Sequence, residues 1–453
     1  MISYDDREKN EIAWKQYNAN SYKIGKEITI EASDGSDITI GYVSDIFSDS
    51  TGTNIKNEDG LNNVFKRMDE ERFGLDGYVI TDKEVGGNVK PEDVKEITVL
   101  FQGSEFDFSS IKGAKGTIND WGITDTQMAV NILRSRYLGT NMGVAKQQEL
   151  AAKGLKEMMD KYPNARVSLY AHSLGSMDGQ VALASLEDSY LQRIDGAYLY
   201  EGPNTYLVLT DKQRKQVDKI KYKIFNYVDP KDFIAMQYPE TGSEGVVGTL
   251  VKINSKGKDN WIQQHMWGGY EYDSGYLNVR ESDLQDYRLA RAKQAMEQLD
   301  IKKKALSERY QKMVAAGYTR TEMIYLDSEQ ATTFASSLQN LAAISTEAIM
   351  AFCDYGVSKV SGRWDALLAQ AQAMPNVSRL LSEAEVVDAL SQVGATKDTV
   401  ETSIITELKD MRNKAVKTKE EFDGLSSKLL NGIQELVKKD EGLAGEYKRW
   451  GNI

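Results

Sequence analysis

Glycine and proline are distributed unevenly along this chain of 453 residues, and their distribution limits what each part can form. Residues 1–280 contain 27 of the 36 glycines and five of the six prolines, whereas residues 281–453 contain nine glycines and one proline. Because glycine and proline mark turns, we expect many short elements in the first part and long helices in the second. The sequence therefore predicts two domains, residues 1–280 and residues 281–453, each long enough to bury a core.

Short β-rich runs alternate with segments of helical spacing in the first part. Strands that are separated by helices are typical of a doubly wound, mostly parallel sheet, so the predicted class of this domain is α/β. The predicted strands are residues 28–30, 38–42, 97–101, 166–170, 197–200 and 223–228, and the predicted helices are residues 124–138, 144–162 and 174–186.

Apolar residues recur every seven positions in the second part, which predicts an elongated all-α bundle of helices that pack along their length. Two interpretations remain open: a bundle that closes on itself, and an incomplete bundle whose open face binds partner helices. Full burial of Leu429 and Leu436 would favour the closed bundle. One such series, here called the seam, consists of Leu408, Ala415, Phe422, Leu429, Leu436 and Leu443.

Charge and cysteine content exclude several classes of function. The chain carries 68 acidic and 56 basic side chains, and this net charge of −12 argues against nucleic acid as a partner. The single cysteine, Cys353, excludes an intramolecular disulfide framework and a zinc site built from several cysteines. We expect no metal and no cofactor.

No stretch of the sequence is typical of a cleavable signal peptide, and no run of about 18 uncharged apolar residues occurs. The sequence therefore predicts no transmembrane segment. Export remains open by a route that recognises a folded helical region.

The segment Val167–Ser176 predicts a reactive serine. A β-rich run ends in Ala171-His-Ser-Leu-Gly175, and a helix is predicted to follow. This order is the nucleophile-elbow pattern of α/β-hydrolases, with alanine in place of the first glycine. Small residues two positions before and after the serine let strand and helix pass closely, and the turn presents the Oγ atom of Ser173 above the sheet.

A serine nucleophile needs a base, and the chain has only two histidines. His172 adjoins Ser173 and is interpreted as structural or substrate-lining, which leaves His265 as the base. Between Ser173 and His265, the acid that orients the imidazole can be Asp232 or Asp229, with Asp259, in a polar loop, as a third candidate. We favour Asp232, because apolar residues follow it and should return its loop to the core, whereas Asp229 precedes a proline and is typical of a turn.

The oxyanion hole needs two N–H donors. Leu174, directly after the nucleophile, is expected to supply one of them. The second is expected from Ser104, because Gly103-Ser104 follows a predicted strand and glycine permits close approach of the backbone.

These motifs together resemble the class 3 lipase family of α/β-hydrolases over about residues 90–270. The resemblance rests on an oxyanion loop, an Asn/Asp-Trp segment, the serine elbow and an acid-bearing segment. It implies hydrolysis of carboxylic esters of lipids by a Ser-His-Asp triad. Two positions depart from the family pattern, Ala171 in the elbow and Gln102, where arginine is usual. The matching segments are Phe101-Gln102-Gly103-Ser104, Asn119-Asp120-Trp121, Ala171–Gly175 and Asn226–Asp232.

A lipase-like domain followed by long helices resembles the TslA-like lipase toxins that Gram-positive bacteria secrete by the type VII route, in which an LXG-like helical domain comes last. Leu443-Ala444-Gly445 matches the L-x-G tripeptide. This resemblance implies secretion without a cleavable signal, phospholipase A-type activity on membrane phospholipid, small helical partner proteins on residues 281–453, and a protective immunity lipoprotein. Two alternatives remain: an intracellular esterase or thioesterase on small acyl substrates, and a helical interaction protein with a non-catalytic hydrolase domain.

Overall fold

The structure, a computed structural model, divides the chain into two compact units, Met1–Ala290 and Arg291–Ile453. This division lies a little after the predicted boundary at residue 280, because Tyr287 and Ala290 are buried in the core of the first unit. The residues that the structure describes are 4–17, 23–32, 35–48, 76–102, 146–259, 263–273, 275–317, 320–374, 377 and 380–450.

In the described part of the first unit, a sheet of eight strands forms the centre, and the order of these strands in the sheet follows their order in the chain. Strands β1 to β4 pair antiparallel, and β4 to β8 pair parallel. The strands are β1 (Glu27–Glu31), β2 (Asp37–Ser48), β3 (Asp76–Thr81), β4 (Glu96–Phe101), β5 (Arg166–His172), β6 (Ile194–Tyr200), β7 (Ile224–Val228) and β8 (Thr249–Lys252).

Helices of the first unit pack against both faces of the sheet. A small hairpin of β9 (Tyr272–Asp273) and β10 (Tyr276–Leu277) pairs apart from this sheet. Besides short single turns, the helices of this unit are α1 (Asp6–Trp14), α2 (Lys146–Lys161), α3 (Leu174–Ala184), α4 (Asp188–Leu191) and α5 (Asp211–Lys219).

The alternation of side chains along β5 shows how the two faces differ. Val167, Leu169 and Ala171 point to an aliphatic core that includes side chains of α2, α3 and α5. Tyr170, between them in sequence, points to the opposite core, which is rich in tyrosine and includes α1. The prediction of an α/β fold with a mostly parallel sheet is confirmed at this level.

The predicted strands lie within observed ones, except that the predicted strand 223–228 begins one residue before β7, because Lys223 ends a short helical turn, Lys221–Lys223. Strands β3 and β8 were not predicted. The predicted helices 144–162 and 174–186 correspond to α2 and α3. The predicted helix 124–138 lies outside the described residues.

The second unit is helical, as predicted. Helix α6 (Glu281–Ala315) begins in the first unit, and the other helices are α7 (Arg320–Val360), α8 (Arg363–Gln372), α9 (Glu383–Gln392) and α10 (Ser403–Trp450). None of the helices in the described parts of the chain combines the length and the apolar character that a membrane span requires.

Helices α7 and α10 pack antiparallel along their length. An ion pair of 2.8 Å joins Asp354 to Arg412, and about three to four turns farther along the helices the Gln339 amide donates to Asp423 over 3.1 Å. A Cβ on Gly356 would meet Leu408 at 2.8 Å, so the helices approach closely there.

Much of the seam on α10 remains uncovered. Ala415 is buried, but Phe422, Leu429 and Leu436 are 37%, 44% and 65% exposed. The full burial that would have favoured a closed bundle is therefore not observed.

Helix α3 packs closely against β4 at Gly175, and this approach yields a stability prediction. A Cβ at this position would lie 2.3 Å from the carbonyl oxygen of Phe101. We expect Gly175→Ala to lower the free energy of unfolding by about 3 kcal/mol, because the backbone must move apart. The measurement is urea unfolding followed by near-ultraviolet circular dichroism. Gly257→Ala is the control, because the nearest atom to its Cβ lies at 4.0 Å, and it should change stability by less than about 0.5 kcal/mol.

Candidate active site

Ser173 lies in the tight turn between β5 and α3. Its backbone has φ 56° and ψ −127°, a conformation that residues with a side chain rarely adopt. Hydrogen bonds hold the turn: the N–H of Ser173 donates to the carbonyl of Tyr200 over 2.9 Å, and the N–H of Ser176 donates to the carbonyl of Ser173 over 3.0 Å. Gly202 lies next to this turn in the fold and has no room for a side chain. A Cβ on Gly202 would lie 2.4 Å from the Cβ of Ser176.

The structure brings Ser173, His265 and Asp232 together. His265 lies on a helical turn, Gln264–Gly268, and its Nε2 is 2.8 Å from the Oγ of Ser173. Its Nδ1 is 2.7 Å from Oδ2 of Asp232, and both the imidazole and this carboxyl are buried.

The chemistry of these groups sets the direction of the hydrogen bonds. An ionised carboxylate only accepts, so Nδ1 of His265 carries the hydrogen and donates to Asp232. In the neutral ring Nε2 then has a free lone pair, and it accepts the O–H of Ser173. This arrangement can remove a proton from the serine hydroxyl.

The loop after β7 presents Asp232 in a fixed orientation. Its N–H donates to the carbonyl of Asp229 over 2.9 Å, and its Oδ1 accepts the N–H of Ile234 over 3.0 Å. Ile234 is buried, as expected for a loop that returns to the core, whereas Phe233 is 59% exposed.

Asp229 has a different place from Asp232. Its carboxylate accepts hydrogen bonds from the N–H of Lys231 at 2.9 Å, the hydroxyl of Ser255 at 2.5 Å and the side-chain amide of Gln264. Gln264 directly precedes His265. Asp229 therefore connects the acid-bearing loop to the turn that carries the histidine, whereas the carboxylate that contacts the His265 ring is that of Asp232.

Of the two predicted oxyanion donors, Leu174 is among the described residues and Ser104 is not. Leu174 is the first residue of α3, so its N–H has no partner within the helix and lies beside Ser173. Gly103, Ser104 and the Asn119-Asp120-Trp121 segment lie outside the described residues. Gln102 is buried and accepts a hydrogen bond of 3.3 Å from the hydroxyl of Tyr78.

Glu201 is a residue at this site that the sequence interpretation missed. It follows β6, its φ is 51°, and it is fully buried. Its carboxyl oxygens accept the N–H of Asp229 at 3.1 and 3.0 Å and the hydroxyl of Tyr270 at 2.5 Å. The position of Glu201 in the sequence, directly after a predicted strand, could have indicated it. The carboxyl ends of neighbouring parallel strands lie at the same edge of a sheet, so Glu201 is expected near Ser173.

Burial raises the pKa of Glu201 well above its usual value, and the negative charge of Asp232 raises it further. Burial also lowers the pKa of His172 well below its usual value, with a smaller contribution from the charge of His265. Within the described residues, no group of three or more His, Cys, Asp or Glu side chains is arranged to hold a metal ion.

The raised pKa of Glu201 predicts a pH dependence of stability. The folded chain binds the Glu201 proton more tightly than the unfolded chain, so this contribution is complete below about pH 4.3, the unfolded value. It is lost as the pH rises toward the higher folded pKa. We expect Glu201→Gln, which cannot ionise, to reduce the loss of stability between pH 5 and pH 8. The measurement is the urea midpoint across that range.

Glu244→Gln, which removes an exposed carboxyl, is the control. Its stability should depend on pH in the same way as that of the wild type. An unchanged pH profile in Glu201→Gln would show that Glu201 ionises as readily in the folded chain as in the unfolded chain.

The comparisons with known proteins agree with a lipase-like domain. A family model described as Mbeg1-like, a lipase-like family, matches residues 140–313, which include Ser173, Asp232 and His265. No curated protein matches the chain. The chain is therefore similar to a lipase-like family, and this similarity points to a lipase-like hydrolase.

Proposed function

We propose that this protein is a serine hydrolase that cleaves carboxylic esters of lipids with the triad Ser173, His265 and Asp232. The observation that carries the proposal is the buried chain of two hydrogen bonds, 2.8 Å from Ser173 to His265 and 2.7 Å from His265 to Asp232. The order of the triad along the chain, serine, acid and then histidine, is that of α/β-hydrolases.

In the proposed reaction, the Oγ of Ser173 attacks the ester carbonyl while Nε2 of His265 takes its proton. Asp232 holds the ring through Nδ1–H and stabilises the imidazolium that forms. The negative charge on the carbonyl oxygen develops beside the N–H of Leu174 at the start of α3, and Ser104 is proposed as the second donor. His265 then protonates the leaving alcohol and activates the water that hydrolyses the acyl-enzyme.

A lipid substrate is supported by two independent observations. The chain is similar to a lipase-like family. In addition, Phe233, directly after Asp232, keeps 59% of its surface exposed. With a net charge of −12, general electrostatic attraction to anionic lipid is weak, so contact with a lipid surface is expected through apolar groups.

Substitutions in the triad provide the direct test. We expect Ser173→Ala to lower ester hydrolysis by at least about 10⁴-fold, and Asp232→Asn by about 10³-fold or more, because the imidazole loses its orienting carboxylate. The assay compares a short-chain nitrophenyl ester with phosphatidylcholine vesicles.

Asp229→Asn is the matched control for Asp232→Asn, because Asp229 supports the histidine turn but does not bind the ring. It should reduce the rate by no more than about tenfold. Equal rates for wild type and Ser173→Ala would exclude the proposed mechanism, and hydrolysis of the short ester alone would favour a small-substrate esterase.

We further propose that the protein is a type VII-secreted antibacterial toxin, made in the cytoplasm of a Gram-positive bacterium, and that an immunity lipoprotein protects the producing cell. Its activity on membrane phospholipid would be of the phospholipase A type. The supporting observation is the order of the chain, a lipase-like unit followed by long helices.

Small helical partner proteins are proposed to bind the uncovered seam on α10. Met411, Phe422, Leu425, Leu429 and Leu436 are all exposed, and their spacing places them on one stripe of the helix. An apolar stripe with this spacing is complementary to the apolar face of another helix.

Polar substitution of the seam tests partner binding. We expect small helical proteins encoded beside this gene to co-purify with the wild-type chain and to lose binding to Leu429→Gln/Leu436→Gln. Glutamine is a good helix former, so α10 should persist, which circular dichroism verifies. Lys428→Gln/Glu435→Gln, with the same number of changes on neighbouring polar positions, should bind normally. The proposal would be contradicted if both double variants still bound the small helical proteins, or if a homodimer buried the seam.

A further inference from the structure

His172 is a buried titratable residue that the proposed chemistry does not use. It is fully buried beside Ser173, and both of its ring nitrogens make hydrogen bonds. Its Nε2 lies 2.9 Å from the backbone carbonyl oxygen of His265, and its Nδ1 lies 2.5 Å from the hydroxyl of Tyr17.

These contacts determine the tautomer of His172. A carbonyl oxygen only accepts, so Nε2 of His172 must carry the hydrogen and donate it to the carbonyl of His265. Burial and the neighbouring His265 hold the pKa of His172 low, so its ring is neutral. Nδ1 is then an acceptor, and the hydroxyl of Tyr17 donates to it.

Aromatic rings in tilted and edge-on contacts surround His172. The ring of Trp267 lies 3.9 Å from that of His172 between centroids, and the ring of His265 lies 4.6 Å away. Trp14, at the end of α1, contacts Trp267 edge-on at 5.0 Å. Residues near the N-terminus therefore pack against the back of the turn that carries His265.

The turn that carries His265 needs such support. Trp267, two residues on, has φ 59°, which a residue with a bulky side chain adopts only when its surroundings require it. The hydrogen bond from Nε2 of His172 to the carbonyl of His265 connects this turn to the end of β5.

We propose that His172 and Tyr17 are positioning residues that hold the catalytic histidine through its backbone. Tyr17 holds the His172 ring in place by donating to its Nδ1, and His172 holds the carbonyl of His265 by donating from Nε2, so that Nε2 of His265 remains directed at Ser173. The N-terminal segment is thereby part of the active site although it lies outside the region matched by the lipase-like family. This inference rests on the proposed serine hydrolase function.

A pair of substitutions at His172 separates hydrogen bonding from packing. Glutamine can place an amide N–H near the position of Nε2, whereas methionine fills similar space and cannot donate. We expect His172→Met to lower kcat by about 10- to 100-fold with KM within about twofold, because the base is displaced while the lipid site is untouched. His172→Gln should recover most of the rate.

Equal losses in His172→Gln and His172→Met would mean that ring packing alone matters and would overturn the role of the hydrogen bond. A wild-type kcat in His172→Met would overturn the proposal as a whole. Ser173→Ala, assayed alongside, distinguishes these outcomes from failure of the hydrolase function.

Tyr17→Phe removes one hydroxyl and keeps the ring, so it tests the proposal even where His172 variants fail to fold. We expect kcat to fall by about three- to tenfold with KM unchanged. Because the chain has only two histidines, ¹⁵N-histidine labelling of the full chain gives two imidazole spin systems. His172 should show the Nε2–H tautomer in the wild type and also in Tyr17→Phe, because the carbonyl of His265 still accepts from Nε2; the Nδ1 resonance should shift in the variant, because Nδ1 loses its donor. An Nδ1–H tautomer in the wild type would contradict the proposal, and this result does not depend on enzymatic activity.

Discussion

The close approach of α3 to β4 is the constraint on which the arrangement of the site depends. Gly175 permits this approach because its missing side chain leaves room for the carbonyl of Phe101. With the helix so close, the chain must reverse direction within a single turn, and Ser173 takes up the unusual backbone conformation that results. The hydroxyl is consequently raised above the sheet, with the first N–H groups of α3 beside it.

The other parts of the site reach Ser173 from well-separated loops. Asp232 follows β7, and His265 lies on a turn beyond β8, so neither is placed by the serine turn itself. Buried polar contacts join these loops: Asp229 binds the side chain of Gln264, and Glu201 binds the backbone of Asp229. The three carboxyl groups thus have different surroundings. Asp232 faces the imidazole, Asp229 is surrounded by donors, and Glu201 is buried with its pKa raised.

Local patterns in the sequence predict much of the fold and of the candidate site. Strands β5 and β6 and helix α3 were predictable because apolar alternation and small residues mark them. Ser173 and His265 followed from the elbow pattern and from the scarcity of histidine. The sequence distinguishes Asp232 from Asp229 only weakly, because both lie in one loop. They differ in the side chains that contact them in the folded chain. Glu201 and the Tyr17–His172 contact were missed, since each depends on distant segments that only the folded chain brings together.

The strand order has a consequence for how the protein is made. Because each of the eight described strands pairs with the next described strand along the chain, the sheet can grow strand by strand as the polypeptide leaves the ribosome. The elbow at Ser173 can therefore form early, on a partly built sheet. His265 emerges only after β8, so a nascent chain that already holds the nucleophile lacks its base. Under the proposed mechanism, the triad is therefore complete only when the last part of the first unit has folded.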